Sequence, residues 1–232
     1  MLELYVSGIE KNSGKTVVTA RLAATMQSLG YDTCVYKPVQ TGAIVKDGFV
    51  QSPDLAFMKS VDPYIKTYFS YLLHKNDVPF LAAEAENIII DKDSLYKDYT
   101  SFEGHECIIT DGCDGLSTPL AEEFLEQNLV RMLNLPVLFV VSDASVNNVV
   151  ANINEATLYG VKIRGVIINN CTEKTDKNLP RLIESYTAAK VLGILPYFEN
   201  IKKINPNDLI SNVLEGIDLE SVFDVKIAKL EI

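Results

Sequence analysis

The feature that most constrains the fold of this chain is a glycine-bounded loop between a strand pattern and a helical pattern. Residues 8–16 read Gly-Ile-Glu-Lys-Asn-Ser-Gly-Lys-Thr and follow an apolar strand pattern at residues 2–7. A loop that ends in Gly-Lys-Thr at a strand-to-helix junction is typical of the phosphate-binding loop, or P-loop. A plain glycine turn into a helix is the alternative. The first glycine, Gly8, lies one residue earlier than the common GxxxxGK[ST] spacing.

The residue types of this loop predict binding of a nucleotide and a metal ion. Backbone N–H groups and the helix N-terminus hold the phosphates, the lysine reaches the terminal phosphates, and the next hydroxyl ligates Mg²⁺. Here that lysine is Lys15 and that hydroxyl is Thr16. We predict that nucleotide-binding residues cover most of the loop and the start of the helix: Glu10, Lys11, Asn12, Ser13, Gly14, Lys15, Thr16 and Val17.

Apolar runs of strand length alternate with helical patterns along the chain. The strand patterns cover residues 2–7, 33–36, 107–110, 137–141, 161–168 and 191–195. The helical patterns cover residues 15–27, 52–58, 82–89, 120–133, 147–158 and 179–188. This alternation predicts an α/β fold of the P-loop NTPase type, with a doubly wound, mostly parallel sheet in three α/β/α layers. We expect one domain over residues 1–232, with polar connections at residues 43–52 and 91–105 and no readable motif after Glu199.

The charge balance limits the partners of this chain. Its 232 residues include 21 basic and 31 acidic side chains, which argues against a nucleic-acid or anionic membrane surface. No apolar run approaches the roughly 20 residues of a membrane-spanning helix, and the N-terminus lacks the features of a signal peptide. We therefore expect a cytoplasmic protein with no nucleic-acid and no membrane partner. In a net-negative chain, the candidates for phosphate binding are Lys11, Lys15 and Lys37.

Two further islands follow strand patterns and should lie on the same sheet edge as the P-loop, because ligands bind outside the carboxyl ends of parallel strands. Residues 36–42 contain Lys37; alone, Lys-Pro is typical of a solvated turn, but beside a P-loop it favours phosphate chemistry. Residues 107–112 end an apolar strand at Asp111, as expected of a carboxylate that holds Mg²⁺ directly or through water. A plain Asp-Gly turn is the alternative. Asp54 is a candidate second metal carboxylate, with helix capping as its alternative role.

Two later strand ends are candidates for a nucleobase pocket. Residues 166–170 end a buried strand with Asn169 and Asn170, and a side-chain amide can both donate and accept hydrogen bonds at a base edge. Asn also tolerates turns, so a strand-end turn is the alternative. The next strand ends in Gly-Ile-Leu-Pro-Tyr and could form the other wall, with predicted contacts from Pro196, Tyr197 and Phe198.

Together these islands resemble the dethiobiotin synthetase family, which makes the ureido ring of the biotin precursor. The P-loop of that family reads G-T-D-x-x-x-G-K-T, with the same early glycine as Gly8. Its second strand ends in K-P-V-x-[ST]-G, as residues 37–42 do, and a family aspartate falls on Asp54. Its E-G-A-G-G-x-x-x-P-L motif is similar to residues 111–120. The resemblance covers about residues 2–198.

The later islands fit the same family, and four positions depart from its pattern. The family's nucleobase asparagine aligns with Asn169, and its G-x-I-P strand aligns with residues 193–196. The departures are Glu10 for an aspartate of the P-loop, Asp111 for a glutamate, Asp114 for a glycine, and Pro79-Phe80 for Pro-His. The nucleotide half of the site therefore follows the family more closely than the diamine half.

The resemblance implies an ATP- and Mg²⁺-dependent ligase that carboxylates and cyclises 7,8-diaminononanoate. One amine takes up CO₂ as a carbamate, ATP phosphorylates the carbamate to a mixed phosphoric anhydride, and the second amine closes the ring. It implies Lys15 on the β- and γ-phosphates and Lys37 between the γ-phosphate and the carbamate, as the catalytic pair. The implied Mg²⁺ ligands are Thr16, Asp54 and Asp111, and the implied substrate-binding residues are Lys11, Lys37, Thr41, Asp114 and Ser145.

The partners implied by the resemblance are the diamine, CO₂ or bicarbonate, and a second copy of the chain, because the family builds its substrate site across two subunits. The main alternative is a switch ATPase of the partitioning type, which shares this fold and acts with a protein partner. Such proteins carry a signature lysine five residues before the P-loop lysine, where this chain has Glu10 and places Lys11 one position later. A carrier or metallocentre-assembly GTPase is a weaker alternative, because no Asn-Lys-x-Asp motif follows the fifth strand.

Overall fold

The computed structural model describes residues 1–142 and 144–227, in which strands and helices alternate. The strands are β1 (Leu2–Gly8), β2 (Thr33–Gln40), β3 (Ile44–Lys46), β4 (Phe49–Gln51), β5 (Lys66–Leu72), β6 (Cys107–Asp111), β7 (Pro119–Ala121), β8 (Phe124–Leu125), β9 (Pro136–Val141), β10 (Lys162–Cys171) and β11 (Val191–Pro196). The helices are α1 (Lys15–Ser28), α2 (Pro53–Val61), α3 (Pro79–Ala85), α4 (Lys92–Thr100), α5 (Glu126–Met132), α6 (Val146–Leu158), α7 (Leu179–Tyr186), α8 (Pro206–Gly216) and α9 (Leu219–Phe223), with a 3₁₀ turn at Ile201–Lys203.

The central sheet has seven strands in the order β11-β10-β9-β1-β6-β2-β5, and each of its pairings is parallel. β1 lies in the middle, with β9 on one side and β6 on the other. The crossovers leave β1 in both directions, which is the point where ligands bind in doubly wound sheets. The predicted α/β fold with a doubly wound sheet is therefore confirmed, and the sheet is fully parallel.

Helices cover both faces of this sheet, as three layers require. Along β1, Leu4 and Val6 pack with α1, α2, α8 and α9, whereas Tyr5 packs with α3 to α7 on the opposite face. The alternation follows from the two-residue period of a strand. Because both faces are covered, the central strands are continuous apolar runs, which explains why their positions could be predicted. Within the described residues, no helix combines the length and the apolar character needed to cross a membrane.

The outer strand β5 and the helix α4 were not predicted, and the polar connection expected at residues 91–105 is wrong. β5 is an edge strand in which Lys66 and Phe69 are exposed, so it lacks a continuous apolar run. α4 buries only Leu95 and Tyr99. Asp91 begins this helix by accepting hydrogen bonds from the N–H groups of the first turn, a capping signal that the sequence carries.

Two short hairpins replace predicted segments of other kinds. The polar connection expected at residues 43–52 contains β3 and β4, joined by Asp47 and Gly48, which both have positive φ, as a tight hairpin turn requires. The helix expected at residues 120–133 begins only at Glu126, because β7 and β8 form a hairpin before it. The segment after Glu199 contains α8 and α9, which cover the α1 face of the sheet.

Candidate active site

The P-loop connects the carboxyl end of β1 to the start of α1. Gly14 has a φ of 82° and Asn12 a φ of 65°, so the chain passes twice through the left-handed region. At Gly8, an added Cβ atom would lie 2.6 Å from the Ser13 hydroxyl oxygen. The early glycine is therefore required by the way in which the loop folds back on itself. Among the described residues no side chain caps α1, so the N–H groups of its first turn remain for a phosphate.

Lys37 lies at the centre of a buried charge cluster beside this loop. Its Nζ is 2.9 Å from Asp111 Oδ2 and 2.9 Å from Asp54 Oδ2, and it donates to the Gly112 carbonyl oxygen at 2.7 Å. Burial alone would lower the pKa of Lys37, but the two carboxylates outweigh it and hold the pKa above its ordinary value. Lys37 therefore stays protonated across the neutral range.

Asp111 connects this cluster to α1. Its carboxylate is fully buried and accepts hydrogen bonds from the hydroxyls of Thr16 and Thr19, each at 3.2 Å. Thr19 was not predicted, although its position three residues after Thr16 places both hydroxyls on one helix face. The strand end at Asp111 therefore contacts both Lys37 and the start of α1.

The oxygen atoms near Lys37 suit a magnesium ion. Asp54 and Asp111 both contact one Lys37 nitrogen, and the Thr16 hydroxyl donates to the same Asp111 oxygen. Mg²⁺ usually takes one or two carboxylates together with phosphate oxygens and water, so these residues fit the ion. Ser52, and not Asp54, caps α2 by accepting from Leu55 N–H at 3.1 Å, so the capping role considered for Asp54 is wrong. Within the described ranges, no group of three or more His, Cys, Asp or Glu side chains forms a metal cage.

A cleft of about 750 Å³ opens above the P-loop and Lys37. It brings together these predicted residues: Lys11, Asn12, Ser13, Gly14, Lys15, Thr16, Val17, Lys37, Thr41, Asp54 and Asp114. The same cleft is also lined by Asn76, Asp77, Val78 and Cys113, none of which was predicted. Residues 76–78 follow β5, so missing that strand also hid this part of the wall. An Asn-Asp pair shortly before Pro79 is a loop signal that could have drawn attention to it.

Glu10 and Ser145 do not line this cleft. The Glu10 carboxylate accepts a hydrogen bond from Asn148 Nδ2 at 2.7 Å, which ties the P-loop to α6. Ser145 caps α6 by accepting from Asn148 N–H at 3.3 Å. Both residues therefore lie at the N-terminal end of α6, beside the P-loop.

The residues predicted for the nucleobase also lie outside the cleft. Asn169 is 2% exposed, and its Nδ2 donates to the Ser13 carbonyl oxygen at 3.2 Å, so its amide faces the P-loop. Its Oδ1 has no hydrogen-bond partner among the described residues. Asn170 donates to the Ser142 hydroxyl at 3.2 Å. In the following strand end, Pro196 and Tyr197 are exposed, whereas Phe198 is half-buried.

Phe198 packs over a buried arginine that the sequence did not single out. The guanidinium carbon of Arg21 lies 5.5 Å from the centre of the Phe198 ring. Arg21 is 1% exposed, and its three side-chain nitrogens have no hydrogen-bond partner within the part of the chain that the structure describes. Burial lowers the pKa of Arg21 to about 10. A mid-helix arginine gives no sequence signal of such a position.

A doubly wound parallel sheet with a P-loop after β1 defines this chain as a protein of the P-loop NTPase class. The MinC:MinD cell division protein complex of Aquifex aeolicus is similar in fold, with a TM-score of 0.56 and 14% identity over 93% of this chain and 88% of that chain. At this identity the likeness concerns the fold alone.

Comparisons of the sequence with a family model and with curated relatives identify the family within this class. A family model described as AAA domain matches residues 3–205. ATP-dependent dethiobiotin synthetase BioD of Fusobacterium nucleatum is 30% identical over 175 residues, 72% of this chain and 78% of the relative. Those of Anoxybacillus flavithermus and Nitrosopumilus maritimus are each 28% identical, over 86% and 96% of this chain and 94% and 99% of the relatives. The chain therefore belongs to the ATP-dependent dethiobiotin synthetase family of ligases, and the resemblance is confirmed.

Proposed function

We propose that this protein is an ATP- and Mg²⁺-dependent dethiobiotin synthetase that carboxylates 7,8-diaminononanoate with CO₂ and closes the ureido ring. The observation that carries the proposal is the position of Lys37, a buried cation that lies 2.9 Å from Asp111 and lines the same cleft as the P-loop. A cation there neutralises a phosphoryl group on one side and a carbamate on the other. Phosphoryl transfer depends mainly on such positioning and charge neutralisation.

Each of these residues has its own proposed binding role. Lys15 and the first turn of α1 bind the β- and γ-phosphates, and Lys37 binds the γ-phosphate and the carbamate oxygens. Because Lys37 stays protonated, it acts as a fixed charge and not as a base. Thr16, Asp54 and Asp111 would hold Mg²⁺, and the bound ion would neutralise phosphate charge. The remaining proposed contacts to the diamine or the carbamate come from Lys11, Thr41, Asp114 and, through the partner interface, Ser145.

The proposed nucleobase contacts come from the ends of β10 and β11. Asn169 and Asn170 would form one wall, and residues 196–198 the other. Asn169 supports this role through its Oδ1, a buried acceptor without a partner in the described structure. Because Asn169 also donates to Ser13, it would connect base binding with the shape of the phosphate loop.

A switch ATPase is the second candidate, since the chain shares its fold with MinD. That function needs a cationic residue where this chain has Glu10. The Glu10 carboxylate is opposite in charge and is bonded to Asn148 of its own chain at 2.7 Å. This contact favours the enzyme over the switch.

A coupled assay with purified protein tests the proposal. With ATP, Mg²⁺, bicarbonate and 7,8-diaminononanoate present, we expect dethiobiotin to form, and we expect ATP hydrolysis only when the diamine and bicarbonate are both present. Isothermal titration that detects ATP binding without diamine binding would contradict the proposal and favour the switch.

We also propose that the active form is a homodimer, with the N-terminal end of α6 near the second subunit. Ser145 and Asn148 lie at this end, next to the P-loop through Glu10. Light scattering during size-exclusion chromatography should give about twice the 25.7 kDa mass of the chain. A monomeric protein that forms dethiobiotin at the full rate would contradict this part of the proposal.

A further inference from the structure

A buried carboxylate that none of the proposed roles uses lies behind the wall of the cleft. Glu126 begins α5 and has no exposed surface. Its Oε1 accepts hydrogen bonds from the Tyr5 hydroxyl at 2.7 Å and from Cys113 N–H at 2.9 Å. Its Oε2 has no hydrogen-bond partner in residues 1–142 and 144–227. Burying a carboxyl group with one oxygen unpaired costs free energy, so stability alone does not explain this residue.

Glu126 supports the segment that leads from Asp111 into the cleft. The Gly112 backbone packs so closely on Glu126 Oε1 that a side chain at Gly112 would collide with it. The Gly112 carbonyl accepts from Lys37 Nζ at 2.7 Å, and Cys113 and Asp114 line the cleft. A single side chain therefore holds, from behind, both a ligand of Lys37 and part of the cleft wall.

The surroundings of Glu126 also change the pKa of its carboxyl group. Burial raises the pKa of Glu126 to about 7, although the hydrogen bonds from Tyr5 and Cys113 and the charges of Lys15 and Lys37 act in the opposite direction. These four groups face it from β1, from the segment after β6, from α1 and from β2. Glu126 Oε1 can accept both hydrogen bonds whether the carboxyl group is protonated or ionised. The hydrogen bond from Cys113 N–H therefore does not depend on the charge of Glu126.

We propose that Glu126 is a positioning residue for the reaction, one that acts through Cys113 N–H to fix the Gly112 carbonyl beside Lys37 and the Cys113–Asp114 wall of the cleft. This inference rests on the proposed function. It predicts that the acceptor oxygen of Glu126 matters for turnover and not for binding of the nucleotide, since the P-loop is formed by other contacts.

Three variants separate this role from a merely structural one. Glu126→Leu removes the acceptor at similar volume, Glu126→Asp withdraws it by about one carbon–carbon bond while keeping the charge, and Glu126→Gln keeps a carbonyl acceptor without the charge. Tyr5→Phe is the matched control, because it removes the second donor to Oε1 and leaves the Cys113 bond in place. Steady-state kinetics on the diamine, titration of an ATP analogue and amide hydrogen exchange of residues 111–115 are measured on each.

Glu126→Leu and Glu126→Asp should lower kcat/KM for the diamine by about ten- to a hundredfold, the usual effect of a misplacement of about 1 Å. The Kd of the ATP analogue should stay within about twofold of wild type, because Glu126 forms no part of the P-loop. A twofold change corresponds to about 0.4 kcal/mol. The Cys113 amide should exchange faster in both variants. Glu126→Gln and Tyr5→Phe should keep near-native kcat/KM and a protected Cys113 amide.

Native kcat/KM in folded Glu126→Asp, or equal losses in Tyr5→Phe and Glu126→Asp, would overturn the proposal. If Glu126→Leu does not fold, Glu126→Asp and Glu126→Gln still decide the question. If wild-type protein makes no dethiobiotin, the proposed function fails separately. The positioning role is then judged by hydrogen exchange alone, and an unchanged Cys113 amide in Glu126→Asp overturns it.

Discussion

The Lys37 ammonium is bound directly to the Asp111 carboxylate, with Nζ 2.9 Å from Oδ2. Both groups are buried, at 3% and 0% exposure, so each compensates a charge that water cannot reach. Asp54 approaches the same nitrogen from the side of the cleft and is partly exposed. Removing either partner would leave an uncompensated buried charge beside the P-loop, so we expect changes to this pair to lower stability and activity together.

Replacing Lys37 with alanine should remove product formation while leaving nucleotide binding largely intact. Loss of one preorganised cation at a phosphoryl group typically lowers kcat by about a hundred- to a thousandfold. The variant should also lose about 3–5 kcal/mol of unfolding free energy, because the Asp111 carboxylate is left buried and unpaired. Coupled assays, ATP-analogue titration and urea unfolding measure the three effects.

Lys66→Ala is the matched control for the Lys37 change. Lys66 pairs with Asp32 at 3.2 Å, but both side chains are about half exposed. Exposed pairs contribute about 0–1 kcal/mol, so unfolding free energy and activity should stay close to wild type. A Lys37→Ala protein that loses nucleotide affinity and product formation equally would contradict the assigned role of Lys37.

Asp111→Asn should weaken binding of Mg²⁺ to the nucleotide complex. The amide keeps an oxygen but loses the negative charge that favours the ion; because loss of a group that only supports a ligand already costs about tenfold or more, we expect metal affinity to fall by at least about tenfold. The measurement is the rate of product formation as a function of free Mg²⁺ concentration, and an assay with excess chelator gives the rate without free Mg²⁺. Asp77→Asn is the control, since Asp77 lines the same cleft without contacting Lys37 or Thr16. Equal Mg²⁺ dependence in the two variants would rule out Asp111 as a ligand.

The stability of the protein should carry a pH dependence from Glu126. The pKa of this acid is raised from 4.5 to about 7 on folding. Its contribution to stability is therefore fully present below pH 4.5 and is lost as the pH rises through about 7. The difference amounts to about 3 kcal/mol, at 1.36 kcal/mol for each unit of pKa.

Comparing wild type with Glu126→Gln isolates this contribution. Asp54 has a lowered pKa and acts in the opposite sense at acidic pH, but it is present in both proteins. Relative to wild type, Glu126→Gln should become more stable by an increasing amount between pH 4.5 and about 8. Denaturant unfolding across this range measures it, and a pH-independent difference would mean that Glu126 titrates normally.

Replacing Arg21 with methionine should stabilise the fold. The Arg21 guanidinium is buried and has no hydrogen-bond partner among the described residues, so it carries a desolvation cost of several kcal/mol, more than the roughly 2 kcal/mol of a desolvated cation–π contact with Phe198. A methionine of similar length keeps the contact with the ring, so the gain should be about 1–3 kcal/mol. Arg164→Met is the comparison, because Arg164 pairs with Asp224 at 3.1 Å and should not gain stability. Thermal unfolding that ranks Arg164→Met above Arg21→Met would contradict the prediction.

The central strands and the residues that end them could be predicted because their physics is local. A parallel strand covered on both faces is a continuous apolar run in the sequence, so the polar residue that ends the run can be recognised from the sequence. The apolar runs alone are therefore enough to place Lys37 and Asp111 on one edge of the sheet. β5 could not be found in this way, because every residue of this edge strand is exposed or half-buried, and no continuous apolar run marks it. The cleft wall at residues 76–78 was missed for the same reason.

Glu126 and Asn169 illustrate what the sequence does not specify. Glu126 falls inside the helical pattern predicted for residues 120–133, but α5 begins only at this residue, after the β7–β8 hairpin, and its side chain is fully buried. Asn169 was expected just after a strand pattern ending at residue 168, whereas it lies inside β10 near its carboxyl end, and the direction of its amide depends on the P-loop carbonyl that it meets. Both positions depend on contacts between segments that are far apart in sequence, and those contacts appear only once the sheet is assembled.

The position of β6 between β1 and β2 has a consequence for synthesis of the chain. β1 and β2 are made early, but they are not neighbours, and the strand that joins them ends at Asp111. A nascent chain shorter than this holds two strands whose facing edges have no partner, and such edges invite pairing with other chains. Translation past residue 111 fills the gap between β1 and β2, but the opposite edge of β1 stays without a partner until β9 is made, so the emerging chain keeps an unpaired central edge through residue 141.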